Sequence, residues 1–303
     1  MSRTYVPYIG ALALLWGASY MFIKVAVREY EPAAMIMFRL LIASVLLLAV
    51  FLAQRGIGTA ISELRELGWQ GFGVGVANGA IPFTLIAWGE KHIDSGVAAI
   101  ANATVPIFVV LLALRFQPSE AVRGARLGGI LLGLVGVGVL AGLHPGGGWW
   151  GVAGTLAVVV ASFSYAIGGL WGQRVVSDTN GFALATAAML GATVVLIPFG
   201  LATLPDHVPG WKATGSVIAL AVLGTAVAQI LLFRVLQSDG ATRLSLVTYL
   251  LPATALIYGV TLLGEPLTLQ ELAGMALILG GVALGSGDVR LPRREPAPAT
   301  PAP

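Results

Sequence analysis

Three scarcities frame this chain: it has no cysteine, only three histidines, and charged side chains make up just 10% of its 303 residues. The missing thiols exclude disulfides, thiolate metal sites and cysteine nucleophiles together. The scarcity of charge excludes an ordinary soluble domain, in which Asp, Glu, Lys and Arg supply about 25% of residues. The basic excess, a net charge of +3, is scattered rather than gathered into a patch with interleaved aromatics, so a nucleic-acid partner is excluded. Gly71-Phe72-Gly73-Val74-Gly75 lacks the strand context and the Gly-Lys-Ser/Thr of a phosphate loop.

What the chain has is apolar length. Residues AVILMFWYC make up 57% of it and the mean hydropathy is +0.89. A helix needs roughly 20 mostly apolar residues to cross a bilayer. Such runs fall near 6–27, 32–53, 68–89, 95–114, 126–143, 150–171, 181–201, 213–233, 242–263 and 271–287. The expectation is an all-α membrane protein of ten transmembrane helices with the lipid bilayer as its solvent. The first run ends in Lys24-Val25-Ala26-Val27-Arg28 with no small-residue cleavage pattern, so it reads as retained rather than as a signal peptide. Numbering the breaks from a cytoplasmic N-terminus puts twelve of the 17 basic residues inside, four outside and Arg39 within a span. That bias places both termini in the cytoplasm of a bacterial inner membrane. Residues 288–303, rich in Pro and Ala, read as a disordered cytoplasmic tail.

The two halves repeat. Pro106, Glu120, Gly129 and Gly136-Val137 are answered by Pro252, Glu265, Gly274 and Gly281-Val282, with intervals from the glutamate of nine and then seven residues in both. Trp16-Gly17 before Lys24 rhymes more weakly with Tyr165-Ala166 before Arg174. The units are 1–148 and 149–287. With five spans each, the second copy must enter the membrane from the opposite side. Inverted repeats around a central cavity are the architecture of alternating-access carriers.

Several of these residues resemble a known family. Leu15-Trp16-Gly17-Ala18-Ser19-Tyr20-Met21-Phe22-Ile23-Lys24, Leu223-Gly224-Thr225-Ala226, Phe233-Arg234, and Gly240-Ala241-Thr242-Arg243 through Pro252 to Gly264-Glu265-Pro266-Leu267-Thr268 are similar to the EamA-type branch of the drug/metabolite transporter superfamily. The resemblance implies a ten-helix basket with a central cavity, in a family that includes amino-acid and metabolite exporters. Ser119-Glu120 departs from the Gly-Glu that this family often carries after its fourth helix.

Polar residues inside the runs are the informative ones, because an unpaired polar group in hydrocarbon is costly. Asn78, Asn102 and Thr248 each stand four residues before a proline, Pro82, Pro106 and Pro252 respectively. A proline lacks the amide that would bond the carbonyl four residues back. Each site therefore offers a free carbonyl beside a polar side chain, and each proline is a candidate hinge; the blander alternative is helix-to-helix bonding with bends. Trp16, Tyr20, Tyr165 and Tyr249 are candidates for a cavity wall that accepts apolar or aromatic side chains. Arg39 lies about two turns inside the second run, to meet a substrate carboxylate or to pair with Glu29 or Glu31. Lys24 is expected to snorkel to the headgroups.

All fourteen acidic residues fall in loops or at helix ends, and His92, His144 and His207 fall in loops. No triad or metal set can assemble at depth, so neither catalysis nor a cofactor is expected. Cationic-drug antiport, which needs a carboxylate within the membrane, is demoted with it. Gly129 with Gly133, Gly138 with Gly142 and Gly281 with Gly285 let helices approach closely, within one bundle or across a homodimer. The reading is export of a small-molecule substrate, amino acids foremost, including apolar and aromatic ones. Other carriers, of drugs or nucleotide sugars, a membrane-embedded enzyme and a non-transporting structural protein stand as alternatives.

Overall fold

The computed structural model describes residues 5–116, 125–142, 148–176, 180–239 and 246–286, all of them helix or short connection and none of them strand. Glu120, His144, Arg243 and the tail lie outside the described residues. The helices are α1 (Tyr5–Ala26), α2 (Pro32–Arg55), α3 (Ile57–Gly75), α4 (Ile81–Glu90), α5 (Ser95–Asn102), α6 (Val105–Phe116), α7 (Ala125–Gly142), α8 (Gly148–Val176), α9 (Gly181–Ala202), α10 (Trp211–Ala221), α11 (Ala228–Asp239), α12 (Leu246–Tyr258) and α13 (Leu269–Ser286). Three π-helical turns, Val76–Ala80, Val222–Val227 and Gly259–Leu263, join α3 to α4, join α10 to α11 and extend α12. Among the described residues, seven spans are long and apolar enough to cross a membrane; Leu127–Ala141, Val247–Leu263 and Leu269–Gly285 are shorter apolar helices.

The helix ends have local causes. Pro32 opens α2, where a missing amide costs nothing. Gly56, at φ 77°, ends it. Residues 57–67, expected as a break between spans, are helical instead: Ala60 and Leu67 turn inward while Glu63, Arg65 and Glu66 stay on the outer face. Gly68, at φ 40°, then kinks the chain into the apolar stretch beyond. Asn180 caps α9 by accepting from the amide of Phe182, and Thr268 and Glu271 form a reciprocal capping box on α13. Asp94 does not cap α5 with its side chain; Glu265 does so from another element, accepting from the Ser95 amide at 2.9 Å.

Apolar side chains point outward along the helices. Leu14, Val45, Val160, Val194 and Ile257 are all more than half exposed, which is the face a bilayer requires rather than water. Inward, α2 packs on α9 and α7 on α13, while α1 lies against α10 and α12, and α8 against α4, α5 and α6. The α7–α13 seam is the glycine series seen in sequence. A Cβ on Gly281 would stand 2.6 Å from the carbonyl oxygen of Gly129, and one on Gly129 2.5 Å from the amide nitrogen of Gly285. The series thus packs within one bundle, and Gly138 faces open space.

Candidate functional site

Three polar groups gather in the interior. Tyr20 of α1 is nearly buried, and its hydroxyl accepts from Asn102 Nδ2 at 2.8 Å. Asn102 Oδ1 in turn accepts from Ser162 Oγ of α8 at 3.1 Å. The same hydroxyl lies 3.4 Å from the Asn102 carbonyl, the one that Pro106 leaves without an amide partner, and donates at 3.0 Å to Val158. The expected notch at Asn102 is therefore partly filled by a neighbouring serine. Ala103 and Thr104 form the break between α5 and α6 just before Pro106.

Asn78 sits in the π-helical turn before Pro82, against Gly168 of α8, where an added Cβ would stand 2.6 Å from Asn78 Oδ1. Ser164 Oγ donates at 2.8 Å to the carbonyl of Ala77 in the same turn, and Thr84 Oγ1 at 2.7 Å to that of Ala80. Extra backbone carbonyls exposed by the irregular helix are thus bonded by hydroxyls. Pro252 differs: α12 runs through it as regular helix, and the irregularity comes later, at Gly259–Leu263.

Arg39 is 4% exposed. Its Nε donates to Thr225 Oγ1 at 2.9 Å, and its guanidinium lies 3.7 Å from the centroid of Phe83, which meets Tyr165 edge-on at 6.3 Å. Tyr20, Tyr165 and Glu90 lie within its electrostatic reach. The alternative of pairing with Glu29 or Glu31 fails: Glu31 holds Lys91 at 2.8 Å, and Glu29 accepts from the amide of Gly210. Both acids are drawn to the bundle end and away from the second turn of α2.

One further expectation is corrected. Lys24 does not snorkel to headgroups; its ammonium donates to the carbonyls of Glu90 at 2.9 Å and Ile93 at 2.7 Å, with Asp94 at 3.8 Å. Glu90 stands at a helix end as expected, yet it is 0% exposed, so an end position does not mean solvation here. His92, in the connection to α5, stacks on Trp150 and meets Trp88 edge-on. Loss of hydration, then the neighbouring Lys91 and Lys24, hold its pKa below 6.5.

Other candidates are less central. Trp16 packs in a smaller cluster with Ala228, Val235 and Val247, apart from the main core against which Tyr165 and Tyr249 lie. Thr248 is half-buried beside Tyr249 on α12. A cavity of about 520 Å³ opens sideways between α2, α4 and α8, lined by Glu31, Pro32, Thr84, Trp88, Ala157 and Thr203, none of them an expected substrate residue. Ser162, Ser164, Phe83, Thr225 and Glu90 had not been singled out. Thr225 stands in the quoted Leu223-Gly224-Thr225-Ala226. Phe83 follows Pro82, and the two serines flank Phe163 just before Tyr165. None carries a signal of its own, because hydroxyls and phenyl rings are common packing residues.

Apolar outer faces around a buried cation and a bonded polar centre define a multi-pass membrane protein with a polar interior. The chain belongs to the EamA-like transporter family, whose model matches residues 4–142 and 152–286, and it is a membrane transporter of the drug/metabolite transporter superfamily. It is 28% identical to the inner membrane transporter YedA of Escherichia coli K12 over 93% of this chain and 91% of that one. It is 26% identical to a probable amino-acid metabolite efflux pump of Salmonella typhimurium, covering 94% of this chain and 96% of the relative. A crystal structure at 20% identity shares the fold with a TM-score of 0.65, covering 94% of this chain and 97% of its own.

Proposed function

We propose that this transporter exports small metabolites, amino acids foremost, across a bacterial inner membrane by alternating access between two inverted five-helix repeats, with both termini cytoplasmic. The observation that carries the substrate reading is Arg39. It is a buried cation that forms no ion pair with any carboxylate among the described residues. A guanidinium held by Thr225 and Phe83 keeps its remaining N–H donors for an incoming carboxylate, whose planar geometry they match. Tyr20, Asn102 and Asn78 supply uncharged bonds around it. Tyr165 and Tyr249 supply apolar wall, with Trp16 and Thr248 further out. The name of the Salmonella relative supports the same substrate class.

The packing supports the inverted repeat. Exchanging the halves carries the contact of α1 with α10 and α12 onto that of α8 with α4, α5 and α6, and returns α2–α9 and α7–α13 to themselves. The π-helical turns Val76–Ala80 and Val222–Val227 fall on matching elements. Ten crossings follow if the three shorter apolar helices also span, which charge at their flanks and the twelve-to-four distribution of basic residues favour.

The test is counterflow in proteoliposomes with labelled L-leucine and L-phenylalanine, without an ion gradient, comparing wild type with Arg39→Gln. Accumulation that the variant loses, while still eluting as folded protein, is expected. No accumulation of any amino acid by folded wild type would remove the substrate reading.

A further inference from the structure

Glu90 is a buried carboxyl that no hydrogen bond reaches among the described residues. It is 0% exposed, and neither carboxyl oxygen has a hydrogen-bond partner among the described residues. Its backbone is held in place, since Lys24 bonds its carbonyl rather than its carboxylate. The charges around it are of both signs. From α1 come Lys24 and, further in, the phenol of Tyr20; from α2 comes Arg39; from the segment after α12 comes Glu265. The adjoining connection carries Lys91, His92 and Asp94, while Gly154 and Val158 of α8 lie nearest to the neighbouring Gly89. Lys24 and Glu265 are already engaged, with two carbonyls and with the start of α5.

An ionised carboxylate buried without donors is strongly disfavoured, and it loses its charge by binding a proton. Any conformation that admits water or turns Lys24 toward the carboxylate reverses the preference. Two states of the carrier that differ in this way bind different numbers of protons, so converting one into the other moves a proton. We propose that Glu90 is an exchangeable proton site through which the transport cycle is coupled to the proton gradient. In the packed state the carboxyl O–H bond is intact. On opening toward water that bond breaks, the proton passes to water and the carboxylate remains beside Lys24. When the packed state re-forms from the carrier's other open face, the carboxylate takes a proton from the water on that side, so one cycle carries one proton across the membrane. The inference rests on the chain being a carrier and is independent of which molecule it carries.

Two measurements on the full chain test it. In infrared spectra recorded across pH, wild type should show the carbonyl band of a protonated, weakly bonded carboxyl, and Glu90→Gln should lack it. Identical spectra at every pH would overturn the proposal. In proteoliposomes with the membrane potential clamped at zero, a gradient of one pH unit should drive about tenfold accumulation of labelled L-leucine if one proton moves per substrate. The polarity of the effective gradient distinguishes exchange from co-transport. In Glu90→Gln the ratio of uptake with and without the gradient should fall to about one. Wild-type counterflow that ignores gradients of both polarities would overturn the coupling and leave the amino-acid reading standing. Loss of counterflow for every amino acid would remove that reading alone, and the infrared band then decides the fate of Glu90. If Glu90→Gln does not fold, Glu265→Gln replaces it: the pH at which the band disappears must move when that neighbouring charge is removed, and an unmoved band overturns the assignment.

Discussion

Replacing Asn102 with leucine separates a transport role from a packing role, because the structure bounds what packing alone can lose. The substitution removes the 2.8 Å bond to the Tyr20 hydroxyl and the acceptor for Ser162 at 3.1 Å. Ser162 retains Val158 at 3.0 Å, so only Tyr20 is left without its partner. Hydrogen bonds between membrane helices average about 0.6 kcal/mol and reach about 1.7. Against a stability of roughly 5–15 kcal/mol, that loss leaves nearly all of the protein folded. The expected result is a melting temperature in detergent lowered by a few degrees, with counterflow of labelled L-leucine, per folded protein, reduced tenfold or more. Tyr20→Phe should cost about the same stability, and the double variant should show a coupling of roughly 0.6–1.7 kcal/mol. Flux within twofold of wild type, or flux falling in proportion to melting temperature across all three variants, would refute a substrate role for Asn102.

Arg39→Lys removes the Nε bond to Thr225 and the planar contact with Phe83 while keeping a positive charge. Losing one bond to a charged group, worth about 1.5–3 kcal/mol, should raise the half-saturating concentration for L-leucine about tenfold or more, with the protein still folded. Gly281→Val should destabilise the bundle by about 1–3 kcal/mol, since its Cβ meets the backbone of Gly129 and Gly133, which no rotamer can relieve. The control Gly138→Val, whose Cβ meets nothing within 4 Å, should melt within error of wild type. His92 should titrate by NMR with a midpoint below 6.5, and Lys91→Gln should move the midpoint upward. A folded pKa below the unfolded one means that the neutral form is favoured in the fold. The small contribution of His92 is therefore present above about pH 6.5 and shrinks as pH falls below it.

The helices were legible in sequence for a simple reason: lipid demands long apolar runs, and Gly56, Pro32 and Gly264 punctuate them by local rules that need no tertiary knowledge. The amphipathic stretch 57–67 escaped that reading because its five charged or polar positions resemble a loop when only hydropathy is counted; its single buried face is visible at helical spacing through Ala60, Leu64 and Leu67. Within the site, Tyr20, Asn102, Tyr165 and Arg39 stood out because polar or aromatic groups in such runs are rare. Their partners did not. Ser162 and Thr225 are chosen by which helices cross, a property of packing between α5 and α8 or between α2 and the turn after α10. The burial of Glu90 was the hardest to foresee, since a helix-end position says nothing of what covers it, and one charge that acts on it, Glu265, lies 175 positions further along the chain.

Under the proposed alternation, Glu265 points to how the halves part. Among the described residues, hydrogen bonds join the halves at three places at this end of the bundle: Glu265 accepts from Ser95 Oγ at 2.6 Å and from the Ser95 amide at 2.9 Å, Tyr30 meets Thr214 at 3.2 Å, and Glu29 accepts from the Gly210 amide. The first satisfies amides at the start of α5 that would otherwise be orphaned, and it places a negative charge at the positive end of that helix. Charge-assisted bonds of this kind are worth about 1.5–3 kcal/mol when buried, and partial exposure of Glu265 reduces that to about 1 kcal/mol. Closure held by a few such contacts can be opened by substrate binding alone. Removing one should then shift the population measurably. Because the chain has no cysteine, a single reporter can be introduced without background. Val97→Cys, at a residue 0% exposed in α5, should react about fivefold faster with a membrane-impermeant thiol reagent when Glu265→Gln is added. An unchanged or slower rate would show that this carboxylate only caps α5 and that the halves are held closed by other means.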